Sequence, residues 1–533
     1  MALRAGTRRF DVRGVTVPQS GLALETPVDL GTVLDAGLKR SPAALALLSL
    51  EGNLTWSELA ERSDRLAAHY LSLGLEPGDR IASLMPNRLA LIAHYLACFK
   101  AGLVATPLNY RYTPPEIDHA LNVSGAKIVV AHAERGADLA ASKASELPLG
   151  VITYGAGTSG PASLEHLLEA DAPKVAFPAP KPEAPGAIFF TSGSTGPAKG
   201  VTHSFASLGF MFASVVKGYG LSATDVMLPA SSCSHIAGFC FVFAALSAGA
   251  PVAIARAFDH TELGPLLRAA RPTVMSMLPS ALFHLIREPG TVSGDFASLR
   301  LVRSGGDKVP AELEKEFKAL TGHDIYEGYG MTEVGTATNN PPSGVDKLGS
   351  IGVPNPGFTF SIRSEDGKEL PPGKDGRVWI AARSLMLGYW NDPNATDEVV
   401  RDGWLDSGDV MKADEDGYLW FLGRKKQIIV HDGSNISPQE VEDALLEHPA
   451  VEAAGVIGIR DAVHGENVRA YVELKQNMPR PTAAELIQFA RARVGYKAPE
   501  DIVFLDNMPL NPTGKVDRAK LKQMAAGDHA HPV

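Results

Sequence analysis

Cysteine is scarce: Cys98, Cys233 and Cys240 are the only three in 533 residues. Three thiols cannot build a disulfide framework, which fits a reducing, cytoplasmic setting. No C-x-x-C or H-x-x-x-H spacing marks a zinc site. Long apolar runs are missing too. The nearest, "FCFVFAALSAGAPVAIA", is broken by Gly249 and Pro251 and falls short of the ~20 residues that span a bilayer. It reads as a buried helix followed by a strand. The start, "MALRAGTRRFDVRG", is charged with no apolar segment behind it, unlike a secretory signal. A net charge of −10 is mild for this length and argues against nucleic acid as a partner. Tandem repeats and low-complexity segments are absent.

What is present is a long alternation. Thr55 and Glu58 form a capping box opening a helix that should end near Gly74. "RIASLM", "LVATPLN" and "AKIVVAHA" read as strands separated by helices, and Thr113-Pro114-Pro115-Glu116 opens another helix. Repeated β-α-β predicts parallel sheets covered by helices. From Gly349, short alternating runs such as "FTFSIRS" and "GRVWIAA" predict a small antiparallel sheet. After "FLGRKKQIIV" a compact α+β tail of roughly a hundred residues follows, the size of a small domain, with Thr482 to Glu485 capping one of its helices. The expected layout is α/β: a large N-terminal domain of layered sheets with an antiparallel subdomain (1–423), a hinge (424–428) and a small mobile C-terminal domain (429–533).

Five stretches carry candidate chemistry. "TSGSTGPAKG", Thr191 to Gly200, follows the apolar run "AIFF" and is rich in glycine and hydroxyls, with Lys199 in the turn. Backbone N–H groups of such a loop can converge on one anion. It is no P-loop: Gly193 and Lys199 have the spacing, but Ala198 replaces the second glycine and Gly200 the magnesium-binding hydroxyl. A flexible linker is the plainer alternative. "YEGYGMTEVG" sets Thr332 beside Glu333; a carboxylate near phosphates needs a cation between them, unless the stretch is only a tight turn. In "WLDSGDV", Asp409 at a strand end could hold ribose hydroxyls, or simply form a turn. "GRKKQIIVHDGSNISPQEVE" offers Arg424 as a sugar or phosphate ligand and Gly433 as a point of close backbone approach, though a basic run is usually just solvated. In "NPTGKVDR", Lys515 follows a turn and precedes a helix; a lone surface lysine is ordinarily inert.

The order of these pieces is less ambiguous than any one of them. "TSGSTGPAKGV", "SHIAG", "SGG", "YGMTE", "WLDSGD", "GRKKQII" and "NPTGK" resemble, in order and spacing, the adenylate-forming superfamily of acyl-CoA synthetases, peptide-synthetase adenylation domains and luciferases. The likeness runs from about Thr55 to Lys522, and "PLNYRYTPPEIDHALNVSGAKIVV" resembles the acyl-CoA synthetase branch. The resemblance implies an AMP-forming ligase using ATP, Mg2+ and coenzyme A on a small carboxylic acid, medium-chain fatty or aryl. The acid becomes an acyl-adenylate and then a thioester. Delivery to a separate carrier protein is the alternative acceptor; no fused carrier is expected after "NPTGK", nor a peroxisomal ending in "HPV".

By the same resemblance, Thr191, Ser192, Ser194, Thr195 and Lys199 hold the β- and γ-phosphates, with Gly193 and Gly196 in the turn. Thr332 meets the α-phosphate and Glu333 the magnesium. Gly305, Gly306 and Tyr329 enclose adenine, with Asp307, Glu327 and Gly330 alongside. Asp409 and Arg424 hold the ribose, and His235 stands between the nucleotide and acyl sites, although a lone histidine is more often structural. Lys515 bridges carboxylate and α-phosphate during adenylation. Lys426 is the pivot of a C-terminal rotation that withdraws Lys515 and brings Gly433 to a pantetheine tunnel. Two residues depart from many relatives: Ser234 stands where an aromatic residue precedes the histidine, and Asp307 where a small residue follows "SGG". Both bear on which acid is accepted. A homodimer is left open as an assembly.

Overall fold

The computed structural model describes residues 24–155, 162–191, 197–256, 260–306, 309–340, 347–424, 427, 429–431, 434–461, 465–476, 478–511 and 514–528. The candidate site residues Ser192, Gly193, Ser194, Thr195, Gly196, Asp307, Lys426 and Gly433 lie outside these residues.

Two seven-stranded sheets form the large domain. One runs Tyr326–Gly328, Leu301–Gly305, Val274–Met277, Met227–Ala230, Val252–Ala253, Leu45–Ser49, Gly52–Thr55, parallel except for its last pair. The other runs Gly388–Tyr389, Lys199–Ser204, Pro185–Thr191, Val104–Pro107, Arg80–Leu84, Ile128–His132, Val151–Tyr154. Between them lie helices Leu89–Ala101, Phe205–Tyr219 and Ile236–Ser247, whose residues join both sheets in one core. Enclosed by both sheets, helix Ile236–Ser247 is apolar almost all round, as its sequence run predicted. Aromatic rings lock the layers: Phe239 lies 4.7 Å from Phe243 and 5.0 Å from Phe189.

The predicted caps form. The Glu58 carboxylate accepts from the Thr55 amide at 2.7 Å, and Glu116 and Glu485 do the same for Thr113 and Thr482. The antiparallel subdomain pairs Phe358–Arg363, Gly376–Ala382 and Trp404–Ala413, with Leu419–Arg424 added to the last. The C-terminal sheet pairs Val451–Asp461 with Gly465–Leu474 and adds Asp501–Leu505 in parallel. One half-buried ion pair crosses between the small domain and the large one, and its carboxylate belongs to a cluster within the large domain. Lys475 Nζ lies 3.0 Å from Glu312, and Arg287 lies 3.1 Å from Glu312 and 2.9 Å from Glu316. No described helix is long and apolar enough to cross a membrane.

One expectation changes. Asp409 sits not at a strand end or in a turn but inside strand Trp404–Ala413, beside a shift in register, and is buried. Buried strand backbone on both flanks overrides the turn preference of the "DSGD" sequence. The 192–196 loop joins two antiparallel strands, Pro185–Thr191 and Lys199–Ser204. A P-loop instead joins a strand to a helix and borrows that helix's dipole, so the strand pairing agrees with the exclusion of a P-loop from the sequence.

Candidate active site

Residues 330–336 make a hairpin, Gly330–Met331 against Gly335–Thr336, with Thr332 and Glu333 in its turn. Only glycine suits position 330, where a Cβ would meet the Gly335 carbonyl at 2.6 Å. Glu333 is buried, and burial raises its pKa; the Tyr389 hydroxyl, donating to its Oε1 at 2.9 Å, pulls the other way. The same Tyr389 ring lies 4.9 Å from Lys199 Nζ. One tyrosine therefore ties the lysine of the glycine-rich loop to the carboxylate of the second motif.

Thr332 is held from behind. His203, on the strand that Lys199 begins, directs Nε2 at the Thr332 carbonyl at 2.7 Å. A carbonyl can only accept, so Nε2 carries the proton, leaving Nδ1 to face the Ser207 hydroxyl at 3.3 Å. Burial lowers the His203 pKa to about 4, so the ring is neutral at neutral pH.

Asp409 faces Arg424 across the strand pair, with Nε 3.3 Å from Oδ1, and the Tyr329 hydroxyl donates to Oδ2. The Tyr329 ring stacks on Phe421, 6.2 Å between centroids. Beyond that ion pair, Asp409 Oδ1 is buried with no well-formed hydrogen bond. Burial raises the Asp409 pKa, and Arg424, Tyr329 and Lys515 oppose that rise. An unsatisfied buried carboxylate oxygen is costly unless something donates to it; a ribose hydroxyl fits that need.

Lys515 comes from the small domain, in a turn where Asn511 Oδ1 accepts the Lys515 amide at 3.1 Å. Its charge is felt at Asp409 and at His235. His235 heads helix Ile236–Ser247. Part of its surface stays accessible, yet enclosure by protein, then the Lys515 and Arg111 cations, drop its pKa to about 4. Next to it Ser234 is buried, its hydroxyl 2.8 Å from that of Ser232. Thr191 pairs with Lys199 at the mouth of the 192–196 loop. Gly305 and Gly306 end strand Leu301–Gly305, Gly306 with φ of 89°. Glu327 is buried and accepts from the Val309 amide at 3.3 Å, an anchor for the backbone after "SGGD".

Asp409, Arg424, Tyr329, Lys515 and His235 thus converge, as do Thr332, Glu333 and Lys199. His203 and Tyr389 were missed by sequence reasoning. His203 had a readable signal, four residues beyond Lys199 on one strand; Tyr389 reaches the site only through the pairing of Gly388–Tyr389 with Lys199–Ser204. The described residues hold no cluster of three or more His, Cys, Asp or Glu. Glu333 alone fits a magnesium ion that takes its other ligands from phosphate and water.

The profile of AMP-binding enzymes matches residues 34–390, and that of the AMP-binding enzyme C-terminal domain matches 440–515. The chain belongs to this AMP-binding, adenylate-forming enzyme family. It is 34% identical over 492 residues to a feruloyl-CoA synthase of Amycolatopsis sp, covering 91% of this chain and 96% of the relative. It is 32% identical over 509 residues to the fatty acid–[acyl-carrier-protein] ligase ScoC of Streptomyces coeruleorubidus, covering 93% and 96%. Among solved structures, ATP-bound MatB from Rhodopseudomonas palustris superposes with a TM-score of 0.86 at 30% identity, covering 94% of this chain and 99% of that one.

The buried histidines make stability pH-dependent. His203 takes its proton near 6.5 when unfolded but only near 4 when folded. Its unfolded form therefore binds more protons between these values, and stability falls as pH drops from 6.5 towards 4. The contribution over that span is on the order of 3 kcal/mol. Thermal melts from pH 7 to 4.5 are expected to fall less steeply for His203→Gln than for the parent; parallel curves would contradict a neutral buried His203.

Proposed function

We propose that the chain is an AMP-forming carboxylate–CoA ligase acting on a medium-chain fatty or aryl acid. In the first half-reaction a carboxylate oxygen attacks the α-phosphorus of ATP and pyrophosphate leaves. Lys515 neutralises charge between the carboxylate and the α-phosphate, Thr332 donates to that phosphate, and Lys199 with the 192–196 loop holds the departing pyrophosphate. Asp409 and Arg424 grip the ribose, and Glu333 holds magnesium, which would supply charge neutralisation on the phosphates. His203 and Tyr389 keep Thr332, Glu333 and Lys199 in place. In the second half-reaction the C-terminal domain rotates about 424–428, Lys515 leaves, and the CoA thiol attacks the acyl carbonyl, expelling AMP.

The observation carrying this reading is the presence of Lys515, from a separate domain, within electrostatic reach of Asp409 and His235. The test is ATP–pyrophosphate exchange and AMP release across a panel of acids, with and without CoA. Acid-dependent exchange without CoA, and AMP with thioester when CoA is added, support it; absence of exchange with every acid overturns it. A second reading, transfer to a carrier-protein thiol, is favoured by the likeness to ScoC. Acid-dependent exchange with no CoA thioester, but with acylation of an added carrier protein, would select it.

A further inference from the structure

Strand Leu301–Gly305 carries a buried cation. Arg303 is 5% exposed, and its Nε has no hydrogen-bond partner. Among the described residues it makes no ion pair. Its guanidinium carbon lies 5.2 Å from the Phe241 ring, on the helix that begins beside His235. On the other side it presses on two glycines: a Cβ at Gly328 would come within 2.7 Å of Nε and Nη2, and one at Gly305 within 3.0 Å of Nη2. The guanidinium therefore occupies a slot bounded by the "SHIAG" helix, the "SGG" strand end and the "YEGYGMTE" segment. Ser234 and Asp307, the two departures that bear on which acid is accepted, belong to the first two of these segments.

A second orphan lies beside it. The Tyr219 hydroxyl, 2% exposed as a residue, also lacks a hydrogen-bond partner, and it is close enough for Arg303 to counter the rise in pKa that burial causes. The tyrosine oxygen faces Arg303 but cannot neutralise it, and a buried guanidinium whose Nε is unpartnered is expensive unless an anion enters beside it. Contact with the Phe241 ring eases the charge but accepts none of the guanidinium hydrogen bonds. A carboxylate does both: it neutralises the cation, takes two parallel N–H bonds from the planar fork and leaves a lone pair for the tyrosine. A neutral hydroxyl leaves the buried charge uncompensated.

We propose that Arg303 and Tyr219 form an oxyanion-binding floor for the far end of the substrate, so that the preferred acids carry a second carboxylate distal to the one that is adenylated. This rests on the adenylation reading above and names its substrate class. The glycines at 305 and 328 then have a further reason: a side chain at either would displace the guanidinium.

The experiment compares matched acids in ATP–pyrophosphate exchange and thioester formation: hexanoate against adipate, benzoate against 4-hydroxybenzoate and terephthalate. The parent is expected to favour a diacid by ~10²-fold in kcat/KM, because sites built around buried donors reject analogues lacking the acceptor. Arg303→Met should abolish that preference, chiefly through KM of the diacid, while monoacids hold or gain and KM for ATP stays. Tyr219→Phe, which removes one hydroxyl, should reduce the preference part-way, and both variants are checked by thermal melting. Three results overturn the proposal: monoacids equal to or better than diacids in the parent, preference for 4-hydroxybenzoate over terephthalate, or an equal loss for every acid in Arg303→Met. If Arg303→Met fails to fold, Tyr219→Phe with an unchanged acid preference overturns it. Activity with monoacids alone leaves the ligase reading standing; exchange with no acid at all removes both.

Discussion

Lys515→Ala is expected to cut acyl-adenylate formation by about 10²–10³-fold, on the order of 3–4 kcal/mol of transition-state stabilisation from one charge-stabilising donor. Thioester formation from supplied acyl-adenylate and CoA should remain within a few-fold of the parent. The asymmetry follows from the proposed roles: the lysine acts only while the small domain presents its turn to the cleft. Its charge is felt at Asp409 and His235 in this pose, so alanine should also let the pKa of both groups change, Asp409 upward and His235 upward. Single-turnover assays of each half-reaction separate the cases. An equal loss in both would remove Lys515 from the adenylation step.

Glu333→Gln is expected to raise the magnesium concentration for half-maximal activity by roughly tenfold or more, since the amide keeps the shape and loses the charge that attracts a hard cation. The pH dependence supplies a second check. Burial raises the Glu333 pKa, and a protonated carboxyl holds no cation. Apparent magnesium affinity in the parent should therefore fall as pH drops, starting above the range of an ordinary carboxylate. The glutamine variant has no proton to lose there, and its affinity should be flat over the same window. Parent-like magnesium titration in the variant would show that another group holds the ion.

Much of the fold was legible because local chemistry and tertiary structure agree. The capping boxes at Thr55, Thr113 and Thr482 form, and the apolar stretch after His235 is a helix enclosed by two sheets. The motifs of the site were legible for a different reason: each is a short stretch whose order along the chain could be compared. What was not legible depends on pairing between distant strands. Asp409 looks like a turn residue until strand Leu419–Arg424 is laid beside it. Tyr389 has no local mark, because its role comes from a two-residue strand alongside Val201. Arg303 likewise has no local mark, and only the packing of Phe241 and Gly328 around it shows a buried cation.

The ion pair between Lys475 of the small domain and Glu312 of the large one, a carboxylate also held by Arg287, has a kinetic consequence. Partly solvated pairs of this kind each contribute about 0–1 kcal/mol. A clasp of that strength biases a two-state equilibrium by only a few-fold per pair, so thermal motion opens it without help from bound CoA. On the proposed rotation the small domain is latched rather than locked. Added salt, which screens such contacts over about a nanometre or less, becomes a dial on how long the enzyme dwells in each half of its cycle.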